Sequence, residues 1–422
     1  MDRRQNPYTP NAGAKPPALI GREEELENFE ILLDRVRAGR TEQSMIITGL
    51  RGAGKTVLLS VFRDSAIDRD WVVVEMEVSK HDDDDFRRVL ARGIRKALFE
   101  IAPKARWAAR AKRAAATLRS FTVTIDPDGR LSAGLDVDAL EGLADSGALD
   151  ADLTDVFVTL GEAAAEHDQG VVLLLDEIQF LTRPQLEALI SAIHKTVQRQ
   201  LPVTLAAAGL PQIAELAGEA RSYAERLFKF PTIGKLTNDQ ARLALTTPAD
   251  ELDVAFSDGA LDEALDFTEG YPYFLQEFGQ AVWNFADGPE ITQDDSTTAR
   301  SIVEEKLDSS FFRVRRDRTT ALELAYLRAM AELGPEPQLA AAVAELLDRT
   351  SQQCGPTRSK LIEKGLLYTP DHGYAAFTVP QFDRYLKRDI KELVVPPVKK
   401  RKKRKKITNK AIETRPTIQA KS

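Results

Sequence analysis

The chain has 422 residues, 43% of them hydrophobic and 29% charged, which is enough apolar material to bury the cores of two or three domains. A single cysteine, Cys354, excludes an internal disulfide. With no apolar leader and no run near the ~18 apolar residues of a membrane helix, this points to a reducing cytoplasm without membrane insertion. The formal net charge is -7, but eight consecutive positive residues fill 399–406, and taking their charges away leaves -15 on the remainder; such a body excludes broad binding to phosphate backbones and confines nucleic-acid contact to that block or to a small local patch.

Residues 1–19 read as an extended arm, because Pro7, Pro10, Pro16 and Pro17 bar a helix. The segment Gly21-Arg22-Glu23-Glu24-Glu25-Leu26 then opens an amphipathic helix with Leu26, Phe29, Leu32, Leu33 and Val36 at helical spacing. An apolar strand, Met45-Ile46-Ile47, leads into Gly49-Leu50-Arg51-Gly52-Ala53-Gly54-Lys55-Thr56, which satisfies G-x-x-x-x-G-K-[ST] at every specified position. Glycines let backbone N–H groups close on a polyphosphate, and the following helix offers its positive end. Gly49, Gly52, Ala53 and Gly54 thus form the cradle, Lys55 reaches the β- and γ-phosphates, and Thr56 gives its hydroxyl to Mg²⁺.

Residues 71–78 read as a buried strand, followed by a basic amphipathic helix with Phe86, Val89, Leu90, Ile94 and Leu98 on one face. Alanines alternate with Arg and Lys over 104–119, the pattern of a charged, solvated helix. Residues 121–125 and 131–137 flank the turn Asp126-Pro127-Asp128-Gly129 and predict an inserted hairpin over 121–137. Five apolar residues, Val171 to Leu175, then make a central strand ending in Asp176 and Glu177, where an open α/β sheet binds its ligands. Asp176 suits a Mg²⁺ ligand and Glu177 the base that activates water. Residues 203–208 and 228–233 are further strands, so a mostly parallel sheet spans 20–235.

Residues 236–312 have helical spacing without a strand pattern and read as a small helical domain, with Gly270-Tyr271-Pro272-Tyr273 in its midst. From 313 to 390 three helices, at about 319–331, 339–347 and 356–364, are closed by a ribbon around Asp371-His372-Gly373, a winged helix-turn-helix. Arg358, Lys360 and Lys364 on the third helix make it a candidate surface for double-stranded DNA. Residues 391–422, lysine-rich and without apolar period, read as a disordered polybasic tail.

Taken in this order, the motifs of 20–385 resemble the AAA+ ATPases, nearest the origin-recognition-like and STAND-type branch. The resemblance implies a P-loop NTPase αβα sandwich with strand order 5-1-4-3-2, a helical lid and a C-terminal winged helix, with ATP or ADP between sandwich and lid. It implies that Gly270 and Pro272 sense the nucleotide, and that hydrolysis depends on Mg²⁺. Adenine rests on the resemblance, there being no guanine-reading N-K-x-D pattern. Two departures stand out. The strand 203–208 ends in alanines where the family offers a polar sensor, which implies slow turnover. The arginine finger has no firm position: Arg226 is the first candidate and Arg221 the second, and a homo-oligomer depends on one of them. Two functions are consistent with the whole: a nucleotide-controlled switch that binds DNA through the winged helix and basic tail, or a STAND-like signalling ATPase whose nucleotide state governs protein contacts, the winged helix acting as an internal clamp.

Overall fold

The computed structural model describes residues 1–79, 82–102, 108–123, 126, 131, 135 and 137–397. Uninterrupted apolar runs become the buried parallel strands β1 (Ser44–Thr48), β2 (Trp71–Glu77), β3 (Gly170–Asp176) and β4 (Val203–Gly209), with the short β5 (Phe228–Lys229) beside β1. Their order, β2-β3-β4-β1-β5, is the expected 5-1-4-3-2 read from the other edge. The register sets Thr48 beside Gly209 and Leu175 beside Ala207, so the C-terminal ends of β1, β4 and β3 emerge together.

Alternation along each strand sorts its side chains between two layers. Val172 and Leu174 face α1 (Glu23–Arg37) and α2 (Lys55–Asp68), where Phe29 stacks on Phe62 at 4.1 Å. Leu173 and Leu175 face α3 (Asp83–Ile101), α4 (Ala109–Val123), α5 (Leu149–Glu166) and α6 (Arg183–Gln198). A buried ion pair, Arg87 to Asp152 at 2.9 Å, ties α3 to α5.

The expected hairpin over 121–137 is not what forms at its start: residues 121–123 end α4, and residues 124, 125, 127–130, 132–134 and 136 lie outside the described residues. Nor is the basic stretch before it a solvated helix. Ala111, Ala114, Ala115, Leu118 and Phe121 are buried in the sheet's core, and the Arg87 guanidinium lies 4.8 Å from the Phe121 ring centre. Alanine carries little hydrophobic signal, so a close-packed alanine face was hidden by the Arg and Lys residues between its members.

After α7 (Ile213–Ala220), α8 (Ala224–Leu227) and β5, the lid comprises α9 (Asn238–Asp250), α10 (Asp258–Thr268), α11 (Pro272–Phe285) and α12 (Gln293–Lys306). It also holds a short parallel pair, β6 (Ala255–Phe256) and β7 (Glu290–Ile291), for which the polar sequence gives no strand pattern. A π-helical turn, Leu307–Phe312, carries α12 into α13 (Arg313–Arg316). The winged helix follows as α14 (Ala321–Leu333), α15 (Ala340–Leu346) and α16 (Ser351–Glu363), closed by a sheet ordered β8 (Gln338–Leu339), β10 (Tyr374–Phe377), β9 (Leu367–Tyr368), and then α17 (Phe382–Asp389). Capping boxes at Thr320 and Thr350 fix where α14 and α16 begin. The second of these starts α16 earlier than Pro356, the residue from which the sequence reading begins it.

Lid and winged helix share one hydrophobic core that runs from Phe278 to Tyr326 and Phe382, and Tyr8 of the arm is part of it. Tyr8 is 1% exposed and its hydroxyl donates to the Leu245 carbonyl, while the Asn6 amide donates to the Gln280 carbonyl at 3.0 Å. The extended arm is therefore strapped to the lid.

Phe121→Ala is expected to destabilise the protein by about 3–5 kcal/mol, the cost of emptying a packed aromatic site. Urea unfolding monitored by circular dichroism measures it; a loss below about 1 kcal/mol would return the 109–123 helix to the solvated surface.

Candidate functional site

The loop between β1 and α2 is shaped by how closely other backbone approaches it. Gly52 and Gly54 hold φ of 82° and 92°, left-handed values that glycine adopts without a side-chain penalty. At Gly49 the constraint is space: a Cβ there would stand 2.4 Å from the carbonyl oxygen of Ile233, just past β5. Lys55 opens α2 and is 8% exposed, its ammonium donating to the carbonyls of Gly49 and Leu50 at 3.0 Å each. Burial lowers its pKa, against the opposing pull of Glu177 and Asp176.

Parallel pairing brings the end of β3 alongside. The Thr56 hydroxyl donates to Asp176 Oδ2 at 2.6 Å, and Asp176 Oδ1 accepts the Glu177 N–H at 2.7 Å. Glu177 itself takes a left-handed backbone, φ 54°, and its Oε1 lies 3.4 Å from the Arg51 guanidinium. A hydroxyl and a carboxylate this close are the hard oxygen donors that Mg²⁺ accepts, with phosphate and water completing its shell, so Thr56 and Asp176 fit that ion.

Above the loop is a cavity of about 420 Å³, lined by loop residues, Glu177, the lid's Pro272 and Tyr273, and arm residues including Thr9 and Gly13. Two further arginines line it, Arg22 and Arg315, the second of which sequence reasoning did not single out. Arg22 is buried and donates to the carbonyls of Ala53 at 3.2 Å and Gly234 at 2.7 Å, bracing the loop against the segment that follows β5; burial lowers its pKa, Glu25 and Glu23 opposing. Its sequence signal is the segment Gly21-Arg22-Glu23-Glu24-Glu25-Leu26, whose resemblance to the AAA+ entry box implies a place beside the adenine. Arg315, on α13, lies 3.9 Å from the Phe311 ring centre, and burial followed by the charge of Arg51 pushes its pKa down to about 10. Lys55, Arg22, Arg51 and Arg315 thus surround a space into which Glu177, among the described residues, projects the one lining carboxylate. That imbalance suits a polyanion.

The lid and the winged helix both touch the loop. The Tyr273 N–H donates to the Gly52 carbonyl at 3.2 Å, and the Arg51 N–H donates to the Thr378 carbonyl, beyond β10, at 2.9 Å. Pro272 lines the cavity, whereas Gly270, φ 75°, packs with its Cα against the Leu236 carbonyl and is needed for that contact, a Cβ there falling at 2.6 Å.

Other predicted residues lie elsewhere. Arg226 is exposed on α8 and Arg221 is paired with Asp150 at 2.6 Å; neither lines the cavity. On α16, Arg358 donates to Thr369 Oγ1 at 3.1 Å and to the Tyr374 carbonyl, and Lys364, just past its end, pairs with Glu323 at 2.6 Å. These two hold the wing and α14 in place, so of the three proposed DNA contacts only Lys360 stands exposed without such a commitment. Residues 398–422, with the basic block, lie outside the described residues. Among the described residues no helix is long and apolar enough to cross a membrane.

Residues 18–206 match the AAA ATPase domain family, and residues 309–386 match a domain of unknown function, DUF8462. A Walker-type ATPase of Pyrococcus abyssi is similar in structure, with a TM-score of 0.51 and 15% identity over 88% of this chain and 97% of its own. So are the Orc2 protein of Aeropyrum pernix, with ADPNP and ADP bound (TM-score 0.49, 15% identity, 93% and 99% covered), and Cdc6p of Pyrobaculum aerophilum (0.45, 16%, 93% and 98%). At 15% identity the likeness to the Pyrococcus abyssi protein speaks for the fold alone. No curated protein matches the chain.

Gly49→Ala is expected to weaken ATP binding roughly tenfold or more, since the loop must shift to clear the Ile233 carbonyl and each ~1.4 kcal/mol is a factor of ten. Titration with a fluorescent ATP analogue, with the fold checked by circular dichroism, measures it; unchanged affinity would mean the loop's position is not set by this contact.

Proposed function

We propose that this chain, an AAA+ P-loop ATPase by its 18–206 domain, is a nucleotide-controlled switch in which slow Mg²⁺-dependent ATP hydrolysis governs how the lid and winged helix grip the phosphate loop. The observation that carries the reading is the double attachment of that loop, Gly52 to Tyr273 and Arg51 to Thr378. Nucleotide that moves the loop is felt at both.

In this reading the loop N–H groups and Lys55 bind the polyphosphate, Lys55 exchanging the Gly49 and Leu50 carbonyls for phosphate oxygens. Thr56 and Asp176 would hold Mg²⁺, which would offset the negative charge of the phosphates. Glu177 orients a water and takes its proton as the new O–P bond forms in line with the breaking bond to ADP. Pro272 and the arm enclose the base. Arg226, which is exposed, would act on a neighbouring copy in a homo-oligomer. The clamp geometry favours the signalling reading, in which the winged helix contacts its own ATPase domain.

A second reading rests on the eight positive residues at 399–406, which suit sequence-blind contact with double-stranded DNA. Lys360 can add to it. Removing residues 398–422 is then expected to abolish the salt-sensitive part of DNA affinity in fluorescence anisotropy, and unchanged affinity would end the tail's part.

Lys55→Ala is expected to lose ATP binding by roughly two orders of magnitude, and Glu177→Gln to keep ATP while turnover falls about 10²–10⁴-fold. Calorimetric titration and phosphate release read the two; a Glu177→Gln protein at the parent rate would remove Glu177 from its role. In hydrogen exchange, segment 365–379 of the Glu177→Gln protein is expected to differ in protection between ATP and ADP. Identical protection would refute the clamp.

A further inference from the structure

The ends of β3 and β4 meet in a way that the loop's chemistry does not by itself require. β4 closes with Ala207, Ala208 and Gly209, all buried, and offers no side-chain donor. The space a side chain at Gly209 would take is already filled: its Cβ would stand 2.9 Å from the carboxamide oxygen of Gln179, which lies on the 3₁₀ turn Ile178–Phe180. That oxygen accepts the backbone N–H of Leu210, the residue after β4, at 3.0 Å. The amide nitrogen of the same side chain donates to Glu177 Oε2.

We propose that Gln179 is a positioning residue for the hydrolytic step, holding the Glu177 carboxylate in its attacking-water geometry by spanning from that carboxylate to the end of β4. The inference rests on the reading of Glu177 as the base. The carboxamide is suited to this because its two ends differ. With its oxygen committed to the Leu210 N–H, its NH₂ must face the carboxylate; the flipped orientation would set oxygen against oxygen and N–H against N–H. Arg51 holds the other carboxylate oxygen, Oε1, at 3.4 Å, so each oxygen of Glu177 has its own donor, one from the phosphate loop and one referenced to the sheet. The left-handed backbone at Glu177 adds a reason for such support, since a non-glycine residue keeps that conformation only where its surroundings hold it. Gly209 follows from the same arrangement: it is glycine because the carboxamide of Gln179 and the Ile178 side chain, also 2.9 Å from a Cβ there, need its space.

Two near-isosteric variants of the full chain test this. Gln179→Met keeps length and volume but loses both hydrogen bonds, and Gln179→Glu keeps the shape but sets a second carboxylate against the first. Each is expected to lower kcat for ATP about 10- to 100-fold, the cost of a misplaced catalytic group, with ATP affinity within about twofold of the parent. Placed in the Glu177→Gln protein, Gln179→Met is expected to cost nothing more, because its effect passes through Glu177. A purely structural role would lower the melting temperature and affinity together and would cost the same factor in both backgrounds. A folded Gln179 variant with the parent kcat, or one whose loss lies wholly in KM, would overturn the proposal. If instead Glu177→Gln itself turned over at the parent rate, it is the reading of Glu177 that would fail.

Discussion

The phosphate loop is a stretch of backbone on which other backbone closes from several directions, and the rest of the molecule depends on that closure. Beneath it the Ile233 carbonyl approaches so near to Gly49 that no Cβ fits between them. From the lid the Tyr273 N–H reaches Gly52, and from the winged helix the Thr378 carbonyl takes the Arg51 N–H. Main-chain groups are short and directional, so such contacts hold position far better than long side chains do. They also transmit it: a loop shifted by a ligand must break or bend hydrogen bonds to two other parts of the chain.

Electrostatics reinforce the same geometry. A buried ammonium is costly unless its protons are accepted, and Lys55 is kept in place by two loop carbonyls with two carboxylates nearby. Arg22, Arg51 and Arg315 bring three further cations, one each from the start of the ATPase domain, the loop itself and the junction to the winged helix. These parts converge on one cavity in a protein whose body is otherwise acidic. A polyanion bound there would touch segments far apart in the chain: the arm, the loop, the lid and the junction to the winged helix.

Legibility followed the range of the interaction responsible. Apolar runs of strand length, the glycine-lysine-threonine loop and the two carboxylates closing β3 are local patterns, and each stands in the structure as read. So does the wing ribbon. What misled was weak local signal. An alanine face carries little hydrophobic contrast, so α4 passed for a charged surface helix and residues 121–123 for a strand, while their burial depends on α3 and α5 coming to meet them. Arg358 and Lys364 look like free cations on a recognition helix until the wing and α14 supply their partners.

The sequence by itself determined the nucleotide chemistry, because a phosphate loop and its acidic partner strand are written in contiguous residues whose types the reaction demands. It determined the sheet as well, through runs too apolar to lie anywhere but between two layers. Only the tertiary structure decided which cations face the cavity, that the arm is strapped to the lid, that the winged helix holds the loop, and that Gln179 stands where β4 lacks a polar side chain. Each of those joins residues remote in sequence, or across two strand ends, and depends on how parallel pairing and a shared core bring them together. No local pattern encodes that distance.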